Sequence, residues 1–165
     1  MSSDRIEKEV TLRAPLDRVW RAIANADEFG RWFGVRFDGP FVAGESVTGV
    51  ITPTEVDDDV AAAQEPHAGK ASVWQIVAVE PPRRLAFRWH PYAVEPGADY
   101  AAEPTTLVEF TLTETADGVL LQIVESGFDN IPAERRAAAF EANSGGWEAR
   151  SEERRVGKEC LRLCR

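Results

Sequence analysis

The period of the hydrophobic pattern changes at Gly34, and this change constrains the fold more than any other feature of the sequence. Before Gly34, the apolar residues Leu16, Val19, Trp20 and Ile23 recur at helical spacing. After it, apolar residues alternate with polar ones over several short segments, which is typical of half-buried strands. Because these segments follow one another through short turns, we expect them to pair as antiparallel strands.

The order of the predicted elements is one strand, two helices, six strands and a final helix. Asp117 and Gly118 lie between two alternating segments, which predicts a hairpin. Two segments rich in Asp, Ala, Pro and Gly, residues 52–70 and 91–104, are predicted as loops. The predicted strands are residues 5–14, 35–41, 45–51, 72–79, 84–90, 105–114 and 119–126, and the predicted helices are residues 15–24, 28–33 and 132–147.

Size and charge exclude several classes of partner. The chain has 165 residues, which fits one domain, and a net charge of −9. An acidic surface repels phosphate groups, so neither nucleic acid nor a membrane is an expected partner. No apolar run approaches the roughly 20 residues of a membrane-spanning helix. Residues 1–10 lack the pattern of a secretory signal, so we expect a cytoplasmic protein.

Six short motifs follow one another along about residues 4–150. They are residues 14–20 (APLDRVW), 31–34 (RWFG), 79–85 (VEPPRRL) with Phe87 and Trp89, 106–112 (TLVEFTL), 125–128 (ESGF) and 145–147 (GGW). Each motif is short, but together and in this order they resemble the START-like (SRPBCC) superfamily. Within it, they resemble the single-domain bacterial type of the family named for the activator of the heat-shock-protein-90 ATPase.

The resemblance implies an α+β helix-grip fold of the START-like or Bet v 1-like kind. In this fold a curved antiparallel sheet of about seven strands wraps a C-terminal helix, and two short helices follow the first strand. We expect residues 1–150 to form this domain. In relatives, a cavity between the sheet and the C-terminal helix holds apolar or amphipathic small molecules.

Three functions are compatible with the resemblance. The first is binding of an apolar or amphipathic ligand in the cavity. The second is an enzyme of the polyketide cyclase or hydratase type, since a minority of relatives catalyse aldol or hydration chemistry there. The third is a role as the partner of a chaperone ATPase. Only the family name supports this role, because the eukaryotic namesake uses an additional N-terminal domain for which this chain is too short. Ligand binding is favoured, because catalysis needs an acid or base with an orienting partner and convergent polar groups are scarce.

Large apolar side chains are the candidates for the cavity wall, although in a small domain such residues more often form the core. Phe87 and Trp89 alternate on one strand face, and Phe110 and Ile123 face the same way on neighbouring strands. The residues expected to line the cavity are Trp32, Phe33, Trp74, Phe87, Trp89, Val108, Phe110, Leu112, Leu121, Ile123, Glu125, Phe140 and Trp147.

Glu125 is the one candidate for a catalytic role. It continues the alternation of Leu121 and Ile123, which points it inward. An apolar setting would raise the pKa of its carboxyl and allow it to act as an acid or a base. The alternative is that Glu125 lies at the strand end, in contact with water or paired with an arginine such as Arg88.

We expect neither a metal nor an organic cofactor. His67 falls in a predicted loop and His90 points outward, so no pair of histidines has the spacing of metal ligands. No glycine-rich loop joins a strand to a helix, and no serine lies in a nucleophile elbow. Cys160 and Cys164 are interpreted as two free thiols near the C-terminus.

Residues 151–165 differ in character from the rest of the chain. Their net charge is +2, against −11 for residues 1–150, and they contain both cysteines. The sheet-facing stripe predicted for the last helix is Ala133, Ala137, Phe140, Ser144 and Trp147, and at the same spacing it continues onto Ser151, Arg154 and Lys158. We therefore expect the helix to lose contact with the sheet after about Trp147. The change in charge and in hydrophobic periodicity after residue 150 predicts that this segment is not native family sequence but the product of a frameshift, a read-through or a cloning remnant. The alternative is a divergent native tail.

Overall fold

In the described part of the chain, seven antiparallel strands form one sheet, which three helices cover. The computed structural model describes residues 4–52, 68–90 and 104–151, together with residues 62 and 65. The strands are β1 (Arg5–Leu12), β2 (Val35–Phe37), β3 (Ser46–Ile51), β4 (Ala71–Glu80), β5 (Arg84–Trp89), β6 (Thr106–Thr115) and β7 (Gly118–Ser126). The helices are α1 (Leu16–Ala24), α2 (Ala26–Phe33) and α3 (Ala133–Ser151), and Phe128–Asn130 form a 3-10 turn.

The sheet order is β1-β7-β6-β5-β4-β3-β2, so the first strand pairs with the last. Each neighbouring pair is antiparallel, as the short turns predict. Apolar residues alternate inward along β6 and β7 and form one core with residues of all three helices. The expected α+β helix-grip fold is confirmed, with two short helices after β1 and a long helix at the C-terminal end.

The turn between α1 and α2 fixes how α2 enters the core. The Asn25 side chain accepts a hydrogen bond of 3.0 Å from the Glu28 backbone N–H, so α2 begins at Ala26 rather than at residue 28. The α2 helix ends at Gly34, whose φ of 92° is the left-handed conformation that glycine adopts readily. A partly buried ion pair of 2.9 Å between Arg18 and Glu28 connects the two helices.

Strand β2 is shorter than predicted, because the chain turns at Asp38. The Asp38 side chain accepts a hydrogen bond from the backbone N–H of Thr48, and its own N–H donates to the Thr48 carbonyl. The chain therefore leaves the ladder after Phe37, although Phe41 is still buried.

The predicted sheet-facing stripe of the last helix is wrong in its first half. Ala133 and Ala137 are exposed, whereas Ala139 and Trp147 are buried and Asn143 is half-buried. The rotation of α3 is set at its beginning by Arg136, whose guanidinium donates hydrogen bonds to the carbonyls of Phe128, Asp129 and Ile131.

Several expectations fall on residues that the structure does not describe. Most of the two predicted loops, the His67 side chain and residues 152–165 with both cysteines lie outside the described residues. None of the helices within the described ranges is long and apolar enough to cross a membrane.

Gly30 allows α2 to pack directly on the backbone of β2. A Cβ atom at position 30 would overlap the carbonyl oxygen of Val35, and backbone cannot move aside as a flexible side chain can. We expect Gly30→Ala to lower the free energy of unfolding by about 2–3 kcal/mol, as overpacking does. The matched control is Gly39→Ala, which meets no atom within 4 Å and should stay within about 0.5 kcal/mol of wild type. Urea unfolding measures both; equal effects would show that α2 does not pack as described.

Candidate functional site

Among the described residues, Glu125 is the one acidic side chain that is buried. It lies near the end of β7, where Leu121, Ile123 and Glu125 point inward and alternate with half-buried residues. Its relative exposure is 0%. A buried carboxylate needs hydrogen-bond donors to replace the water it has lost, so its surroundings determine what it can do.

Four neutral side chains donate hydrogen bonds to Glu125. Its Oε2 atom accepts from the Trp89 indole N–H at 2.7 Å and from the Thr106 hydroxyl at 2.5 Å. Its Oε1 atom accepts from the Trp147 indole N–H at 2.8 Å. The amide nitrogen of Asn143 reaches both oxygens, at 3.0 Å and 3.1 Å. We call Glu125 and these four residues the carboxylate cage.

The strand register explains why these donors meet. Glu125 on β7 pairs with Val108 on β6, and Thr106 is the next inward residue along that strand. Thr106 in turn pairs with Trp89 on β5. Three neighbouring strands thus place a carboxylate, a hydroxyl and an indole at one end of the inner face, because inward side chains recur every second residue.

The other two donors of the cage belong to α3. Asn143 and Trp147 are four residues apart, so they lie one above the other on the same face of the helix. The Glu125 side chain therefore connects the sheet to α3 through hydrogen bonds.

Burial raises the pKa of Glu125, because desolvation penalises the charged form. The hydrogen bonds from Thr106, Trp89, Trp147 and Asn143 act in the opposite direction and lower the pKa. Burial is the larger effect, so the pKa of this carboxyl lies above its ordinary value.

The alternative of a wetted or arginine-paired Glu125 is wrong. Arg88 is exposed on the opposite side of β5, because it alternates with the inward residues Phe87 and Trp89. In the described part of the chain, every hydrogen-bond partner of Glu125 is neutral.

The aromatic residues predicted for the cavity wall lie together next to the cage. Trp74 and Phe87 stack with ring centroids 4.5 Å apart. Phe33, Trp89 and Trp147 form a triangle of rings with centroid separations of 5.5 Å, 5.7 Å and 6.0 Å. These rings contact one another directly, so a ligand that binds among them has to separate them.

The remaining predicted wall residues fall into two groups. Six of them are buried in the same core as the aromatic residues: Trp32, Val108, Phe110, Leu112, Leu121 and Ile123. Phe140 is half-buried, and its ring packs edge-on against Phe128 at 5.2 Å. Ile123 is buried and pairs with Phe110 across the β6–β7 ladder.

The sequence analysis missed several residues of this region. Thr106 continues the inward alternation of Val108 and Phe110, which is the signal that could have found it. Asn143 lies four residues before Trp147, on the face that Trp147 defines. Phe29 is not among the predicted wall residues, yet its ring contacts seven others, including those of Phe37 and Phe41.

The donor set of this site suits neutral hydrogen bonding rather than metal binding. Among the described residues, no three His, Cys, Asp or Glu side chains gather as a metal ion would require. Glu125 has no titratable residue among its four partners, so the cage holds a carboxylate in place but offers no second acid or base.

Comparison with known proteins identifies the family. A family model described as "Activator of Hsp90 ATPase homolog 1-like protein" matches residues 13–153. No curated protein matches the chain.

Solved structures of low sequence identity share the fold. A protein from Mesorhizobium loti is 24% identical with a TM-score of 0.67, and the match covers 96% of this chain and 97% of that one. A protein from Bacillus halodurans is 22% identical with a TM-score of 0.62, over 94% of this chain and 96% of that one. A protein of the dynemicin biosynthetic locus is 24% identical with a TM-score of 0.62, over 97% of this chain and 47% of that one. At these identities the likeness supports the fold alone.

The cage makes a testable prediction about stability. In Glu125→Gln, an amide NH2 replaces one acceptor oxygen and faces an indole N–H, of Trp89 or of Trp147, that has no other acceptor among the described residues. We expect the free energy of unfolding to fall by about 2–4 kcal/mol, the cost of buried donors without a partner. The control is Glu109→Gln, because the Glu109 carboxylate is partly exposed and pairs with Arg84 at 2.8 Å. That variant should lose no more than about 1 kcal/mol. If the Glu125 variant is as stable as wild type, the cage does not hold the carboxylate as described.

The stability that Glu125 contributes should also depend on pH. Because its pKa is raised in the folded protein, the folded state binds the proton more tightly than the unfolded chain does. Its contribution is therefore greatest at acidic pH and decreases as the pH rises through the folded-state pKa. The wild-type free energy of unfolding minus that of Glu125→Gln should fall as the pH rises through the range above about 4.3, the ordinary pKa of a glutamate carboxyl. Denaturant unfolding across this range measures it; a difference that rises with pH would mean that the four donors outweigh burial.

Proposed function

Because the chain belongs to the family of activator of Hsp90 ATPase homolog 1-like proteins, we propose that it binds an apolar or amphipathic small molecule between its sheet and its C-terminal helix α3. The proposed contacts are the aromatic side chains predicted for the cavity wall, with Phe33, Trp89 and Trp147 nearest to Glu125. Small-molecule sites are commonly apolar with a few fixed polar groups, which is the composition of this region.

The observation that carries the proposal is the way α3 is attached to the sheet. Two of its described inward residues, Asn143 and Trp147, donate hydrogen bonds to Glu125. A third, Ala139, is buried but small. Phe140 is half-buried, and its ring packs on Phe128. A helix that is held by polar contacts, one buried indole ring and one half-buried phenyl ring buries little apolar surface, so lifting it from the sheet requires less free energy than breaking a leucine-rich interface.

The sequence of α3 itself favours such a movement. Gly145 and Gly146 lie immediately before Trp147 and within the helix. Each glycine disfavours the helical conformation by about 1 kcal/mol relative to alanine. The segment that carries Trp147 is therefore the weakest part of the helix, and its separation from the sheet would open the aromatic face to a ligand.

The two other functions have less support. An enzyme would need a second acid, base or orienting charge next to Glu125, and the four described partners of Glu125 contain none. A role as a chaperone partner rests on the family name. The exposed large apolar residues in the described part of the chain are Val42, Val73 and Val77, which is ordinary for a protein surface.

The proposal predicts binding of a neutral apolar probe. N-phenyl-1-naphthylamine should gain fluorescence with wild type and quench tryptophan emission on saturation. Ile123→Trp adds a ring to the inner face under α3, so we expect probe affinity to fall by at least about tenfold, or ~1.4 kcal/mol. A fluorescence titration measures both effects.

The matched control for this experiment is Gln122→Trp. Gln122 is the neighbouring residue on β7 and faces outward, so the same ring should leave probe affinity unchanged. Circular dichroism melts verify that both variants are folded. If wild type does not bind the probe, or if the two variants bind it equally well, the ligand site is not between the sheet and α3.

A further inference from the structure

The two oxygens of Glu125 differ in whether the sheet supplies them with hydrogen bonds. Oε2 accepts from Trp89 on β5 and Thr106 on β6, both of which belong to the sheet, and also from Asn143 on α3 at 3.1 Å. Oε1 accepts from Trp147 and Asn143, both of which belong to α3. In the described structure, no donor on the sheet reaches Oε1.

This asymmetry determines what happens when a molecule separates α3 from the sheet. Oε2 keeps both of its sheet donors, whereas Oε1 loses both of its partners at once. A buried carboxylate oxygen without a donor is strongly unfavourable. A ligand that enters here must therefore bring its own hydrogen-bond donor to Oε1 or leave that oxygen unpaired.

The charge of the site favours a cation over a neutral donor. All described hydrogen-bond partners of Glu125 are neutral, so the ionised carboxylate has no counter-charge in the cage. A charge-assisted hydrogen bond is about twice as strong as a neutral one. The net charge of the chain, −9, adds a long-range attraction for cations.

The aromatic rings beside the carboxylate also favour a cationic ligand. The rings of Phe33 and Trp89 lie outside α3 and remain at this end of the inner face when α3 moves; their centroids are 6.0 Å apart. Aromatic faces attract cations, and the attraction increases when water is excluded. A carboxylate between aromatic rings is thus suited to an ammonium group that is attached to an apolar body.

We propose that the ligand is an apolar molecule with a protonated amine, whose N–H donates to Oε1 of Glu125 in place of Trp147 and Asn143. This inference rests on the proposed function, because it assumes a ligand between the sheet and α3. The apolar body replaces the aromatic contacts that α3 gives up, and Trp89 and Thr106 continue to hold Oε2.

The test compares three probes that share one apolar body. They are 1-naphthylmethylamine, which is cationic at neutral pH, 1-naphthalenemethanol, which is a neutral donor, and 1-naphthoate, which is an anion. Isothermal titration calorimetry with wild type should give an amine affinity at least about tenfold above that of the alcohol, or ~1.4 kcal/mol. The naphthoate should bind more weakly than the alcohol, because it brings a second negative charge to Glu125.

Two controls separate the cage from general attraction to an acidic surface. The preference for the amine should remain in Glu109→Gln, whose carboxylate pairs with Arg84 outside the cage, and should disappear in Glu125→Gln. If Glu125→Gln does not fold, titration of wild type in about 1 M NaCl separates binding at the cage from attraction to the acidic surface, because salt screens exposed charges far more than buried ones. The preference should persist there.

The outcomes distinguish this inference from the proposed function. If the alcohol binds and the amine is no tighter, the ligand class is wrong while the binding site stands. The ligand class is also wrong if the preference survives in Glu125→Gln or vanishes at high salt. If none of the three probes binds, the proposed function fails and this inference fails with it.

Discussion

One buried carboxylate determines how the helix and the sheet of this protein fit together. Glu125 has left water without gaining a counter-charge among the described residues, so its two oxygens must be satisfied by neutral donors. Those donors come from β5, β6 and α3, and each of these elements has to be in place for the cage to form. The rotation of α3 about its axis follows, because Asn143 and Trp147 must face the sheet.

The cage contrasts with most of the interior, which consists of apolar side chains and contains many aromatic rings. Burial of apolar rings stabilises a fold without fixing a unique geometry. A buried polar group can fix the geometry, but it lowers the stability. An apolar side chain at position 125 would leave the four donors without an acceptor, so the cage forms or fails as a unit. A contact of this kind is directional and small in area, which allows a helix to be both accurately placed and removable.

Strand alternation predicted most of the fold and the inward direction of Glu125, because a period of two is a local property of the chain. The sheet-facing stripe of α3 could not be predicted, because alanines occur on several faces of that helix. The rotation depends on the hydrogen bonds of Arg136 to the carbonyls of the preceding turn and of Asn143 to Glu125 on β7, which the hydrophobic pattern does not reveal. Thr106 and Asn143 were missed for a related reason: neutral donors are recognised only once the buried acceptor that they serve is located.

The central claim is that α3 is attached through the carboxylate cage and that a ligand opens it. The most direct measurement is the solvent exchange of the indole N–H protons by ¹⁵N NMR, with and without saturating N-phenyl-1-naphthylamine. The chain has five tryptophans, and single Trp→Phe variants assign their signals. On binding, exchange of the Trp147 proton should accelerate, while that of Trp32, which donates to the Ala22 carbonyl at 2.9 Å, should not change. An unchanged or slower exchange at Trp147 in the saturated protein would contradict the account.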